Sequence, residues 1–328
     1  MKHLFMVAVA AASLILPASA GEPAPLPSPG EIAAAAPASD WVAIAPSDLL
    51  VMDLAPDAGG KPRRVVIQLM PAPFSQGWIG NIRKLAAAHW WDGTSVNRVQ
   101  DNYVAQWGDA TEKKPLPKGL ATVPEGDYVT QTRGTGGQKR SVTSDGRPLV
   151  MNWSGWSPGW SWADQVDAYS TKRSFFRGWS FASTDGKTGW PVHCYGMVGV
   201  GRNMSPDTGS GAELYTVIGH APRHLDRNIA VVGRVISGIE HLSSLPRGTG
   251  ALGFYEDAGE RVAITSIRVA TELPTADQPR FEYLSTESDS FARYVDARQN
   301  RRDPFFITPA GGADICNIPV PVRPVAAK

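Results

Sequence analysis

Strand-forming runs that recur with glycine at their corners limit this chain more than any other feature. "LLVMDLA" and "RRVVIQLM" flank "PDAGGKP", where Gly59 and Gly60 supply turn residues, so the pair reads as a hairpin. Strand texture returns in "YGMVGVG" (195–201), "AELYTVIG" (212–219), "IAVVGRVI" (229–236) and "RVAITSIRVA" (261–270). Between these sets, "SQGWIGNIRKLAAAHWWDG" spaces Trp78, Ile79, Ile82, Leu85 and Ala86 along one helical face, with Ser75 as N-cap and Gly93 past the end. "SGIEHLSSL" also has helical spacing. About seven strands, two helices and glycine-rich corners predict a mainly β fold, a closed antiparallel barrel rather than a doubly wound sheet.

The barrel is expected within residues 41–270, and the flanks differ in texture. Residues 1–20, "MKHLFMVAVAAASLILPASA", combine a basic start, a short apolar run and a small-x-small ending, the pattern of a secretory signal cleaved before Gly21. The apolar run is shorter than the roughly 20 residues a membrane span needs, so no membrane anchor is expected after cleavage. A periplasmic or secreted destination follows. Residues 21–40 are rich in Pro and Ala and read as a flexible leader. Residues 271–328 form a C-terminal extension, with one surface helix starting near Ser285 and a Pro-rich extended tail.

Of 32 basic and 31 acidic residues, the segment before Gly21 holds only Lys2, so the remainder is formally neutral. No basic field exists to hold nucleic acid. Cys194 and Cys316 are the only cysteines; in an oxidising compartment they are either a disulfide tying the tail to the body or two buried thiols.

Residues 110–191 are Gly- and Pro-rich, lack clear periodicity, and hold six of the eleven tryptophans, at 153, 156, 160, 162, 179 and 190. Such a length inside a domain marks an insertion with structure or function of its own. Tryptophan at this density favours the core of an added subdomain over an aromatic peptide surface; a carbohydrate-binding role rests on composition alone.

The usual catalytic motifs are missing. His220 and His224 bracket Pro222, which breaks the helix a shared metal would need. "GSG" (209–211) is no nucleophile elbow, and "GVGRNM" (199–204) lacks the third glycine and the helix of a dinucleotide loop. "SVNRVQDNYVAQWGD" is left: a third strand over 95–105, apolar at Val96, Val99, Tyr103 and Val104, with Arg98 and Gln106 near one sheet surface and in need of partners.

"WWDGTSVNRVQDNYVAQWGD", "GMVGVGRNMSPDTGSGAELYTVIG" and "LDRNIAVVGRVISGIEHL", in that order after a hairpin and a helix, resemble the cyclophilin-type peptidyl-prolyl cis-trans isomerases over residues 48–109 and 195–270. The resemblance implies a closed antiparallel barrel capped by two helices and interrupted by the Trp-rich insertion. It places Arg98 on the family's catalytic arginine, Gln106 on its substrate-binding glutamine, and Tyr103 and Val104 in the proline pocket. Gly201 and Arg202 fall on positions that bond the peptide backbone. Glu213, Leu214 and Tyr215 fall on a Gln-Phe-Phe run. The pocket departs from the family pattern at Ile229 for histidine, Val232 for phenylalanine and Trp107 for glycine, while His224 stands at a variable aromatic position.

The chemistry so implied needs no metal or cofactor. X-Pro rotation breaks amide resonance, with a barrier of roughly 18–20 kcal/mol; an apolar slot for the ring and a fixed cation beside the amide lower it. The expected partners are proline-containing peptides or unfolded exported proteins. The rival is a binding module with a weakened or inactive pocket, in which Arg202 and Glu213 pair across the groove and obstruct it.

Overall fold

In the computed structural model, which describes residues 25–131 and 167–325 and the backbone of 141–142 and 148–149, the chain runs through seventeen strands and four α-helices. In order these are α1 (Pro29–Ala34), β1 (Trp41–Ala43), β2 (Leu49–Leu54), β3 (Arg63–Leu69), α2 (Gln76–Ala87), β4 (Ser95–Val99) and β5 (Val104–Gly108). The insertion contributes β6 (Thr130–Gln131), β7 (Ser141–Val142), β8 (Pro148–Leu149), β9 (Lys172–Phe176), β10 (Trp179–Ser183) and β11 (Thr188–Pro191). Then follow β12 (Met197–Val200), β13 (Leu214–Val217), β14 (Val231–Ser237), α3 (Glu240–Ser243), β15 (Val262–Val269), β16 (Phe281–Leu284), α4 (Asp289–Gln299) and β17 (Val322–Pro324). The expected signal segment and the tryptophans at 153, 156, 160 and 162 lie outside the described residues.

Eight strands close into an antiparallel barrel in the order β12-β13-β5-β4-β15-β2-β3-β14, with β14 returning to β12. The β2–β3 hairpin falls where the Gly59–Gly60 turn put it, pairing Leu49 with Gln68 through Leu54 with Arg63. Barrel-facing Met52, Val65, Ile67, Val96, Trp107, Leu214, Ile264 and Ile267 fill the interior, one residue in two along most strands. Helix α2 adds Trp78, Ile79, Ile82, Leu85 and Ala86 to that core. Ser75 sits at its N-cap position but does not cap it: the residue is left-handed, φ 55°, and its hydroxyl donates to the Val231 carbonyl at 2.7 Å. Helix α3 is a single turn whose Leu242 is fully buried.

The insertion carries a second sheet, β6-β11-β10-β9. Trp179 and Trp190 are buried in it, so the described tryptophans of this region are core residues. The sheet docks on the barrel through Phe181, stacked on Phe74 at 4.2 Å, and through Arg234 of β14. Arg234 donates to Gly178 O at 2.7 Å and to Gln68 Oε1 at 2.9 and 2.7 Å, and lies 4.6 Å from the Trp179 ring. Burial pushes this guanidinium down to about 10; the three hydrogen bonds and the ring offset its desolvation.

Both flanks differ from expectation. Within the leader, Ser28 and Glu31 form a reciprocal capping box that starts α1, and α1 packs against α4. Helix α4 begins at its cap Ser288, not near Ser285, and is no surface helix: Phe291, Tyr294 and Val295 are buried. Phe291 meets Phe175 of the insertion edge-on at 5.1 Å. Cys194 and Cys316 form a disulfide that closes a separation of 122 residues and ties the tail to the start of β12. Since cross-linking so long a loop removes unfolded-chain entropy, reduction is expected to lower unfolding stability by about 2–4 kcal/mol. Denaturant midpoints with and without reductant check this; an unchanged midpoint contradicts it.

Candidate active site

The stretch read as one strand is a hairpin. Gln100 N donates to Val104 O at 2.9 Å, and Asn102 takes the left-handed conformation, φ 51°, that the turn requires. Asp and Asn favour such corners. Arg98 therefore pairs with Gln106 across two strands, β4 and β5, not along one. The register slips between Val96 and Arg98, so Asn97 and Arg98 together oppose Gln106, a β-bulge. The bulge turns both side chains toward the same groove, while Trp107, next to Gln106, points into the barrel.

That groove encloses about 780 Å³. Arg98 stands in it half-buried and bonded on three sides: Nε donates to Leu252 O at 2.7 Å, Nη1 to Gln106 Oε1 at 3.1 Å, and Nη2 to Gln100 Oε1. The Tyr103 and Phe254 rings lie 5.7 and 5.4 Å from its guanidinium carbon. Burial lowers the Arg98 pKa, opposed by the Tyr103 and Tyr215 hydroxyls; a guanidinium remains charged through such a shift. Beside it, Val104, Tyr215 and Val217 form an apolar cluster with Tyr103, Leu225 and Ile229.

The floor of this cluster has a polar underside. The Tyr215 hydroxyl lies 3.0 Å from His193 Nε2, and His193 Nδ1 lies 3.1 Å from Asp226 Oδ1. Asp226 accepts from Arg223 Nε at 2.6 Å, and Arg223 Nη1 reaches Asp167 of the insertion at 3.0 Å. With Asp226 at Nδ1, the imidazole carries its proton there and presents Nε2 as acceptor to the phenol. Burial holds the Tyr215 pKa well above the usual phenol value. Burial opposes the charge on Arg223, but the carboxylates of Asp226 and Asp167 outweigh it and raise its pKa. Gly199 leaves room for the Tyr215 ring, since a Cβ there would lie 2.3 Å from it.

Gln106 Nε2 reaches Glu213 Oε2 at 3.5 Å. Burial raises the Glu213 pKa, opposed by hydrogen bonds from Gln106 and Asn97. The expected Arg202–Glu213 pair does not form: Arg202 donates to the carbonyls of Asn228 and Asn203 at 2.9 and 2.7 Å, leaving the groove open between them.

Of the residues singled out in the sequence, Arg98, Tyr103, Val104, Gln106, Gly201, Arg202, Glu213, Tyr215 and Ile229 line the groove. Leu214 and Val232 do not; each faces the barrel core, because neighbours along a strand alternate sides. His224 is exposed beside the groove, its ring 6.4 Å from that of Tyr103. Sequence reasoning missed Asn97, Leu225, Leu252 and Phe254, which also line it. Leu252 and Phe254 belong to a glycine-rich loop whose Tyr255 N donates to Asn97 O at 3.0 Å, a pairing with no local sequence signal.

Among the described residues no cluster of His, Cys, Asp and Glu could hold a metal, and no helix is long and apolar enough to cross a membrane. The Arg98 guanidinium, the neighbouring side-chain amides and the apolar slot are groups chemically able to hydrogen-bond and polarise a peptide amide.

The family model described as cyclophilin type peptidyl-prolyl cis-trans isomerase/CLD matches residues 64–269. The chain belongs to that family, and its enzyme class is peptidyl-prolyl cis-trans isomerase. Among solved structures, cyclophilin AquaCyp293 from Hirschia baltica is similar at a TM-score of 0.61 and 20% identity, covering 88% of this chain and 94% of that one. A Cryptosporidium parvum cyclophilin-type isomerase is similar at a TM-score of 0.36 and 11% identity, covering 68% of this chain and 96% of that one. No curated protein matches the sequence.

Tyr215→Phe keeps the ring but leaves buried His193 Nε2 without its donor, so a loss of about 1–3 kcal/mol in unfolding stability is expected. Urea denaturation measures it; a variant as stable as the parent contradicts the buried relay.

Proposed function

We propose that this protein is exported and accelerates X-Pro isomerisation in folding secretory chains, with Arg98 stabilising the twisted prolyl amide. The observation that carries the reading is the position of Arg98: a cation held by Leu252, Gln106 and Gln100 at the lip of the cluster formed by Tyr103, Val104, Tyr215, Leu225 and Ile229. A guanidinium has five N–H donors, and three are engaged within the chain, which leaves two for a peptide.

The proline ring seats on the apolar cluster, which grips it without polar demand. As the C–N bond twists, resonance is lost and the nitrogen becomes pyramidal and more basic. The fixed guanidinium beside it then bonds more strongly than in the planar ground state, which is the differential binding that lowers the barrier. Gln106, held by both Arg98 and Glu213, has its amide oriented for the peptide backbone.

Export is supported by the signal pattern before Gly21 and by the Cys194–Cys316 disulfide, a bond that persists in oxidising compartments. Expressed with residues 1–20 in a bacterial host, the chain is expected in the periplasmic fraction beginning at Gly21; a cytoplasmic product retaining Met1 contradicts export.

The catalytic reading is tested by a cis-to-trans proline-peptide assay on the chain from Gly21 beside Arg98→Ala. Acceleration by the parent and a loss of roughly 10²-fold or more in the folded variant are expected. A folded parent that binds proline peptides but accelerates none of them would leave the binding module as the function.

A further inference from the structure

On the side of Gln106 away from Arg98, the groove holds a carboxylate with no cation. Glu213 lies over Gly108, so close that a Cβ on that glycine would sit 1.8 Å from Glu213 Oε1. Its hydrogen-bond partners are the side-chain amides of Gln106 and Asn97 and the backbone of Asp109, and it forms no ion pair among the described residues. Of the four basic side chains that line the groove, three spend donors elsewhere, Arg98 on Leu252, Gln106 and Gln100, Arg202 on Asn228 and Asn203, and Lys114 on the Asp92 carbonyl at 2.7 Å, and the fourth, Arg261, has no hydrogen bond or ion pair with Glu213.

A second observation points the same way. Asn97 lines the groove, is only 5% exposed, and its Oδ1 has no hydrogen-bond donor. Buried acceptors left without donors are costly. A carboxylate and an orphan amide oxygen beside each other, both bordering an open groove, match a ligand that brings several N–H donors and a positive charge.

We propose that Asn97 and Glu213 form a subsite for the ammonium or guanidinium group of a lysine or arginine in the substrate peptide. The inference rests on the prolyl-peptide reading of the groove and adds to it a preference for basic sequences around X-Pro. Glu213 and Tyr215 lie on the same side of their segment, two residues or about 7 Å apart. An extended peptide with its proline over Tyr215 covers that distance in two residues. The basic side chain therefore belongs within about three residues of the proline.

The test uses proline peptides identical except for Lys, Ala or Glu placed in turn at each position within about three residues of the proline. For the parent, Glu213→Gln and Asn97→Ala, kcat/KM and the dissociation constant are measured for each peptide. The readout is the Lys-to-Glu ratio within each protein, so a general loss of activity in a variant does not mask it. The parent should prefer Lys roughly tenfold at one position. Glu213→Gln should reduce that ratio to about twofold or less, and Asn97→Ala should lower it in part, which keeps the test open should Glu213→Gln not fold. Turnover of the Ala peptides with no Lys preference at any position overturns the subsite and leaves the isomerase reading intact. The same preference in Glu213→Gln as in the parent also overturns it. Binding without turnover, with the Lys preference present in the dissociation constants, supports the subsite and removes the catalytic reading instead.

Discussion

Closure of the barrel between β12 and β14 is the constraint on which the site depends. With the ring closed, β13 is fixed against β5, so Tyr215 pairs with Gln106 and Leu214 with Trp107. The two-residue period of a strand then sorts each pair: Leu214 and Trp107 enter the core, and Tyr215 and Gln106 face the groove. A slip of one residue in that ladder would place a buried tryptophan in the groove and a glutamine in the core. The burial of Trp107 thus fixes the register that presents Gln106.

Arg98 needs a further device. The bulge between Val96 and Arg98 adds one residue to β4, and the glycine-rich loop carrying Leu252 and Phe254 closes over it. The cation is thereby held in one orientation, and in the proposed mechanism that pre-orientation is what makes its charge useful in a transition state. Beneath it, the apolar floor is anchored by the Tyr215–His193–Asp226–Arg223–Asp167 chain of hydrogen bonds. That chain crosses from barrel to insertion, and Cys194, next to His193, is tied to the C-terminal tail. Insertion and extension therefore brace the pocket from behind, through a buried polar chain in which only Arg223 Nη2 is left without a hydrogen-bond partner.

What the sequence disclosed follows from which signals are local. The β2–β3 hairpin, α2 and β12 to β15 were legible because alternation, helical spacing and turn glycines are written in neighbouring residues. Arg98, Tyr103, Val104 and Gln106 were found through their order within a family motif. The turn at Asp101–Asn102 was hidden because Val99 to Val104 has enough strand propensity to read through it. Placing Leu214 and Val232 in the groove failed because motif position carries no information about which way a side chain points. Asn97, Leu252, Phe254 and His193 were illegible for a different reason: their roles arise from contacts between distant segments. The insertion sheet also escaped notice, since its strands are nearly all buried and so lack alternation.

The central claim is that Arg98 acts on a prolyl amide whose ring rests on the cluster of Tyr103, Val104, Tyr215, Leu225 and Ile229. A crystal structure of the chain with a bound X-Pro peptide tests it most directly. The account predicts the proline ring against those five side chains and an Arg98 guanidinium nitrogen within hydrogen-bond reach of the prolyl residue. A peptide seated with its proline outside the cluster, or with Arg98 still bonded only to Leu252, Gln106 and Gln100, would contradict it.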